Sequence, residues 1–333
     1  MPIKKLLYSF FSILLCSLLF IGCSNTPHQN DADNAYSVTD EQGKIVHFTQ
    51  KPQRIITLSM STDEIVLGLV KTDKLIAINY LLDDPTSSNI VPLAKKIPTK
   101  IKQPSAEEIF AMKPDLVIIP DWNNIEIADS LRDMGIKVLV VPGAKDISQV
   151  KQTVQLIADA LGEHNKGQKL ISLMDDKLAE IKTKVDTIPP NNHKKIVLIS
   201  LMTTYGGIGS SFDDACKYAG VINGLDTIGI HNGQALTKES LVQINPDILL
   251  MPAYNDHNTF DVDSYNRNYL NDPSLQTITA IKNNALITPR EGYLYNVSQD
   301  IVFGVQEIAR CTYGNAFDFP DNMHLSVSGE KNQ

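Results

Sequence analysis

Ser105-Ala106-Glu107-Glu108-Ile109-Phe110-Ala111-Met112-Lys113-Pro114-Asp115-Leu116-Val117-Ile118-Ile119-Pro120 returns 132 positions later as Thr237-Lys238-Glu239-Ser240-Leu241-Val242-Gln243-Ile244-Asn245-Pro246-Asp247-Ile248-Leu249-Leu250-Met251-Pro252. Both copies carry the same physical instructions. A hydroxyl residue caps a helix whose first turn is acidic, a proline stops it, and an unbroken apolar run then reads as a strand buried on both faces. One copy would be an ordinary αβ unit, but two in matching register predict two related lobes.

Outward from the repeat, apolar runs at residues 54–58, 75–79, 116–119 and 137–141 alternate with helical patterns, which predicts a parallel sheet covered by helices. A hairpin over residues 38–48, turning at Asp40-Glu41-Gln42-Gly43, leads into it, and residues 195–200 begin a second sheet. Between them lie helical stretches at 147–161 and 168–187. In the second, Leu170, Met174, Leu178, Ile181 and Val185 keep one apolar stripe until Pro189-Pro190-Asn191-Asn192 stops it. The expected fold is therefore α/β, with two Rossmann-like lobes, each on a parallel sheet, joined by a single long helix. The expected boundaries are a signal at 1–22, a tether at 23–36, an N-terminal lobe at 37–145, a helical linker at 146–190, a C-terminal lobe at 191–320 and a tail at 321–333.

Lys4 and Lys5 precede an almost unbroken apolar run over residues 6–21, too short for a comfortable membrane span. The run ends in Leu19-Phe20-Ile21-Gly22-Cys23, which resembles a bacterial lipobox, with Phe20 a mild departure from the usual aliphatic residue. The resemblance implies that Cys23 is lipidated and becomes the mature N-terminus, holding the protein to the outer face of a membrane or its periplasmic side. Residues 24–35 are polar and aperiodic and read as a disordered tether.

Residues 1–22 carry two lysines and no acid, so their removal leaves 28 basic against 38 acidic residues and moves the formal charge from −8 to −10. Such a surface disfavours nucleic acid and anionic lipid as partners. Cys16 leaves with the signal and Cys23 is the lipid site, so Cys216 and Cys311 remain, either as a disulfide or as two buried thiols.

The anchor, tether, two αβ lobes and connecting helix resemble the ABC substrate-binding proteins that capture iron-siderophores, haem or cobalamin. The segments that carry the likeness are Pro52-Gln53-Arg54-Ile55-Ile56-Thr57-Leu58-Ser59, Thr62-Asp63-Glu64-Ile65, the two Pro-Asp strands, and Asp272-Pro273-Ser274-Leu275 running to Ala280-Ile281-Lys282-Asn283-Asn284. The resemblance implies a monomer that serves a permease dimer and its ATPase, has no cofactor of its own, and carries a metal chelate as cargo. It also implies that Glu107 and Glu239, equivalent in the repeat, engage permease arginines; both acids also suit a helix N-terminus for its own sake.

Ligands of parallel sheets sit beyond the carboxyl ends of the strands. In the repeat those ends lead to Trp122 and Tyr254, again equivalent, so facing lobes would bring both rings to one cleft. Ser59, Met60 and Tyr80 follow the first two strands of the N-terminal lobe. Tyr205, Arg290, Tyr293 and Tyr295 stand at comparable places in the other. Gly206, Gly207 and Gly209 lack the dinucleotide spacing and suggest close backbone approach to a ligand, or plain turn geometry. Arg267 and Arg290 are the only arginines expected near the cleft, too few for a multiply carboxylated ferric complex. Haem would want an axial Tyr, His or Met, for which Tyr254, His257 and Tyr293 are available; a corrinoid would want aromatic walls and neutral hydrogen bonds.

Other functions fit less well. Direct capture of Zn or Mn needs converging ligands, whereas the seven histidines are scattered. Gly-x-Ser-x-Gly and His-Glu-x-x-His, which a hydrolase could use, are absent, and Gln168 stands where a phosphate-loop lysine would follow residues 162–167. The expectation is a binding protein and not an enzyme, with an adhesin as the remaining non-enzymatic alternative.

Overall fold

The two repeat copies fold alike down to their hydrogen bonds in the computed structural model, which describes residues 35–332. Ser105 and Thr237 cap helices Ala106–Ala111 and Lys238–Ile244 by accepting from the backbone N–H three residues on, and Glu108 completes a capping box in the first. Lys113 and Asn245, each just before the proline, take left-handed φ values of 54° and 46° that turn the chain back toward the sheet. Asp115 then accepts from the backbone N–H groups of Gln53 and Arg54 at 2.8 and 2.9 Å, and Asp247 from that of Lys195 at 2.8 Å. At the same equivalent positions, Arg54 donates to the carbonyls of Met112 and Lys113, and Lys195 to that of Ile244, placing a cation on each helix C-terminus.

The N-terminal sheet contains β3 (Ile55–Thr57), β4 (Leu75–Asn79), β5 (Lys100–Ile101), β6 (Leu116–Pro120) and β7 (Val138–Val141) in the order β5-β4-β3-β6-β7, all pairs parallel. The C-terminal sheet contains β8 (Lys195–Leu198), β9 (Ile222–Asn223), β10 (Ile248–Leu250) and β11 (Leu286–Ile287) in the order β11-β10-β8-β9, also parallel. A separate antiparallel hairpin, β1 (Tyr36–Thr39) with β2 (Ile45–Phe48), starts within the stretch expected to be tether, because Tyr36 stacks on Phe48 and donates to Ala160 O. The expected signal at 1–22, Cys23 and the expected tether up to residue 34 lie outside the described residues.

Alternate strand residues feed different cores. Ile55, Leu116, Ile118, Ile248 and Leu250 face a central core shared by both lobes, while Ile56, Val117 and Ile119 face one outer core and Val197 and Leu249 the other. Both faces of each sheet are covered, which is why the strands read as unbroken apolar runs. The linker helix, His164–Val185, begins four residues earlier than the sequence suggests and buries Leu170, Met174, Leu178, Ile181 and Val185. At 1.5 Å per residue it is about 33 Å long.

Cys216 and Cys311 are both buried and unbonded to each other, so a disulfide is excluded here. Burial raises both thiols, and Cys311 packs its sulfur 3.7 Å from Glu307.

The C-terminal residues from 321 onward run back over the N-terminal lobe as a strap. Val327 donates to Gly68 O at 2.7 Å, Thr72 N donates to the Glu330 carboxylate at 2.8 Å, and Asn332 donates to Asn89 O at 2.8 Å. Beneath the strap is a buried polar cluster drawn from both lobes. Asn296 donates to Glu64 at 2.6 Å, Asn89 to Asp300 at 2.8 Å, and His324 Nδ1 lies 2.7 Å from Asp300. Burial and then the charge of Asp300 push the Glu64 carboxyl up to about 8. Burial alone would lower His324, but the charge and hydrogen bond of Asp300 raise it.

At Gly292 the lobes touch through backbone: an added Cβ would lie 2.7 Å from Ser88 C and 2.9 Å from Asn89 N. Gly292→Ala should therefore force the lobes apart and cost about 1–3 kcal/mol, read as a drop in melting temperature of several degrees; an unchanged melting curve would contradict the close approach. Glu64 supplies a pH test. A carboxyl held above its ordinary 4.5 favours the fold fully below that pH and loses the contribution as pH rises through about 8. Glu64→Gln keeps an oxygen for Asn296, so its melting temperature relative to the parent should climb between about pH 5 and about pH 8, and a constant difference would exclude Glu64 as the titrating group.

Candidate functional site

The carboxyl ends of the N-terminal strands open onto a cavity of about 740 Å³, lined by Thr57 at the end of β3 with Ser59 and Met60 after it, Asn79 at the end of β4, Ile101 and Lys102 at β5, and Trp122 after β6. Met202, Tyr295 and Val297 of the C-terminal lobe close its far side. A second cavity of about 350 Å³ shares Met60, Met202 and Tyr295 with the first and adds Leu81, Ser87, Leu201, Tyr254 and Glu291. Together they form one cleft between the lobes, within the size range of small-molecule sites.

Its walls are braced from behind. Asp63, fully buried, accepts from Thr57 Oγ1 at 2.6 Å and from Asn79 N at 2.9 Å, tying the ends of β3 and β4 together. Burial raises its pKa far above the usual carboxylate range. Ser59 caps helix Met60–Leu69 by accepting from Thr62 N, which fixes where Met60 enters the cleft. The Trp122 ring lies over Gly143, whose missing side chain makes room for it, and remains 65% exposed. On the opposite wall Tyr295 donates to Ser200 Oγ at 3.0 Å and is backed by the Tyr205 ring at 5.2 Å. Tyr205 OH in turn meets Ser211 Oγ at 2.9 Å, and burial pushes its phenol up to about 12.

The lobes also touch through a latch beside the cleft. Asp256, His257 and Asn258 occupy three successive left-handed positions, φ 45°, 54° and 66°, residue types that tolerate this region better than most. The turn presents its groups to the loop after β4: His257 N donates to Asp84 at 2.7 Å, His257 Nε2 lies 3.1 Å from Asp83, and Tyr80 OH donates to Asp256 at 3.3 Å. The Tyr80 and His257 rings stack at 5.8 Å, with Lys102 Nζ 4.5 Å from the Tyr80 centroid.

Of the residues expected at the ligand site, Ser59, Met60, Trp122, Tyr254 and Tyr295 line the cleft. Tyr205 supports it, and Tyr80 joins the lobes. Two do not belong to it. Tyr293 is a core residue, 2% exposed and packed against Phe303 and Phe319, its hydroxyl accepting from Met323 N. Arg290 is consumed by Glu307, Asp321 and the Phe319 carbonyl, with its guanidinium 3.8 Å over the Phe319 ring. Both line a neighbouring crevice that meets the cleft at Glu291. Arg267 is exposed on helix Val262–Leu270. Gly207 approaches the chain's own backbone at Ile230 and His231, so its close contact serves packing.

Sequence reasoning missed Lys102, Leu201, Met202 and Glu291. Lys102 follows a two-residue strand too short to carry a pattern, and Glu291 stood beside the arginine that drew attention. Met202 was recoverable, because Ser200 is the counterpart of Ser59 across the matched strand registers. Glu107 and Glu239 are both exposed at the second position of their helices, so their equivalence survives folding. Lys217, in contrast, pairs with buried Asp213 at 2.7 Å, and Asp214 accepts from Ile147 N, so these charges hold structure. Among the described residues no three His, Cys, Asp or Glu converge as a metal cage, and no helix is long and apolar enough to cross a membrane.

A two-lobed parallel α/β protein with a ligand-sized cleft at the strand ends is built to hold a small molecule between its lobes. The periplasmic binding protein family model matches residues 55–291, and the chain belongs to that family. It is similar to the uncharacterized ABC transporter substrate-binding lipoprotein YvrC of Bacillus subtilis, 26% identical over 74% of this chain and 81% of the relative. It is also similar to the iron-uptake system-binding protein of the same organism, 21% identical over 81% and 86% of the two chains. Among solved structures, the periplasmic heme-binding protein RhuT from Roseiflexus sp. RS-1 in its apo form superposes with a TM-score of 0.67 at 21% identity, covering 78% of this chain and 98% of that one.

Proposed function

We propose that this protein is the solute-binding component of an ABC importer, not an enzyme, held to the outer face of the membrane through lipid on Cys23. It captures a metal chelate, a ferric siderophore or haem, between the lobes and delivers it to a permease dimer driven by its ATPase. The observation that carries the reading is the cleft: both lobes contribute strand-end residues to it, with Trp122, Tyr254 and Tyr295 as aromatic faces and Met60 and Met202 as polarisable neighbours. Relatives named for iron uptake and heme binding support it. A corrinoid is the second reading, favoured by the neutral hydrogen-bonding groups Ser59, Asn79 and Asn123 on the same walls.

Glu107 and Glu239 are the proposed contacts with permease arginines, one per lobe, as a two-fold partner requires. Each is exposed on a short helix anchored to its sheet by the Pro-Asp clamp, so the pair is displayed rigidly.

Trp122 is the chain's single tryptophan and sits in the cleft, which makes its fluorescence a direct reporter. Titration of the detergent-solubilised lipoprotein with ferric siderophores, haemin and cyanocobalamin should give saturable quenching by at least one class, and a thermal shift worth about 2.7 kcal/mol at about 100 times its Kd. No response to any class would overturn the reading. In cells, the Glu107→Ala/Glu239→Ala double variant should bind its ligand with parental affinity and lose uptake; normal uptake would remove these residues from docking.

A further inference from the structure

Among the residues lining the cleft, only Lys102 and Glu291 are charged types. Lys102 is exposed and lies over the Tyr80 ring, close to Asp256, at the latch. Glu291 is different. It is 6% exposed, has no cation beside it, and accepts from Ala253 N at 3.0 Å. The neighbouring Arg290 is turned away to Glu307 and Asp321. An ionised carboxylate offers about four acceptor positions, and one buried without a cation is costly. Burial accordingly raises Glu291 to about 7.

Ser87 lines the same cavity from the opposite lobe, and its hydroxyl is buried without any hydrogen-bond partner. Orphaned hydroxyls are uncommon in folded proteins, since each forfeits its bonds to water. The cavity therefore holds two polar groups amid apolar walls, one from each lobe: the Ser87 hydroxyl, which has no partner, and the Glu291 carboxylate, which has backbone donors but no cation.

Resting on the reading that the cleft takes a metal chelate, we infer that Glu291 and Ser87 form its polar end and bind a hydrogen-bond donor or positive charge on the ligand. The cleft thus selects neutral or cationic chelates and discriminates against polyanionic ones. Lys102 is the one cation among the lining residues, placed over the Tyr80 ring beside Asp256, and the nearby latch adds Asp83, Asp84 and Asp256 to the local negative field, against His257, Lys100 and Lys102. The acidic chain as a whole works in the same direction.

The test uses Trp122 quenching in the full lipoprotein with a singly cationic ferric trishydroxamate, a neutral one, neutral cyanocobalamin, haemin and a trianionic ferric tris-catecholate. A neutral or cationic probe should bind tightest, and Glu291→Gln, which keeps an acceptor for Ala253 N but loses the charge, should weaken it about tenfold or more with its melting temperature maintained. Ser87→Ala should weaken it by a smaller factor. Tightest binding of the tris-catecholate or of haemin, with its two propionates, overturns the inference while leaving the importer reading standing; so does a Glu291→Gln affinity within twofold of the parent. Failure of every probe to bind the parent overturns both.

Discussion

Everything else in this fold hangs on a clamp that is made twice. In each lobe an aspartate after a proline accepts from the backbone at the start of the lobe's first strand, and a cation from that strand, Arg54 or Lys195, closes the end of the preceding helix. A hydrogen bond to a charged group is worth about 1.5–3 kcal/mol, and the cation at the helix end adds to it. More important than the energy is the alignment. The clamp sets β3 against β6 and β8 against β10 in matching register, and the loops that follow converge on one place.

Two such lobes do not by themselves define a binding site, because one helix between them leaves their relative orientation open. The central core that both lobes share sets it, together with three contacts: the latch of Asp256 and His257 on the loop after β4, the backbone approach at Gly292, and the C-terminal strap with its buried cluster. These differ in character. The cluster beneath the strap is buried, whereas the latch is part-exposed, polar and carried on a turn that costs conformational energy.

Within the cleft, shape and charge point the same way. Aromatic and thioether side chains give area without charge, and Arg290 is committed to the buried Glu307 carboxylate. Polar recognition is left to a few groups held from behind, such as Tyr295 on Ser200 and Asp63 under the ends of β3 and β4. Such bracing limits how far the walls can adapt, so the match between ligand and cleft is decided before binding.

The sequence by itself determined the two lobes, their parallel sheets, the apolar stripe of the linker helix, and the equivalence of Glu107 with Glu239 and of Trp122 with Tyr254. These rest on local rules: capping, helix termination before proline, and strand hydrophobicity repeat every time the same residues recur. Tertiary structure alone decided which polar residues face the cleft. Arg290 and Glu291 are neighbours in the chain, yet one is turned into a core ion pair and the other toward the cleft, and Tyr293 and Tyr295 divide in the same way. No periodicity marks that division, because it depends on Glu307, Phe319 and Ser200, partners that only the folded chain brings near. The same holds for Cys216 and Cys311, which pack separately as thiols, and for the strap, whose partners Gly68 and Thr72 lie some 260 residues away in sequence.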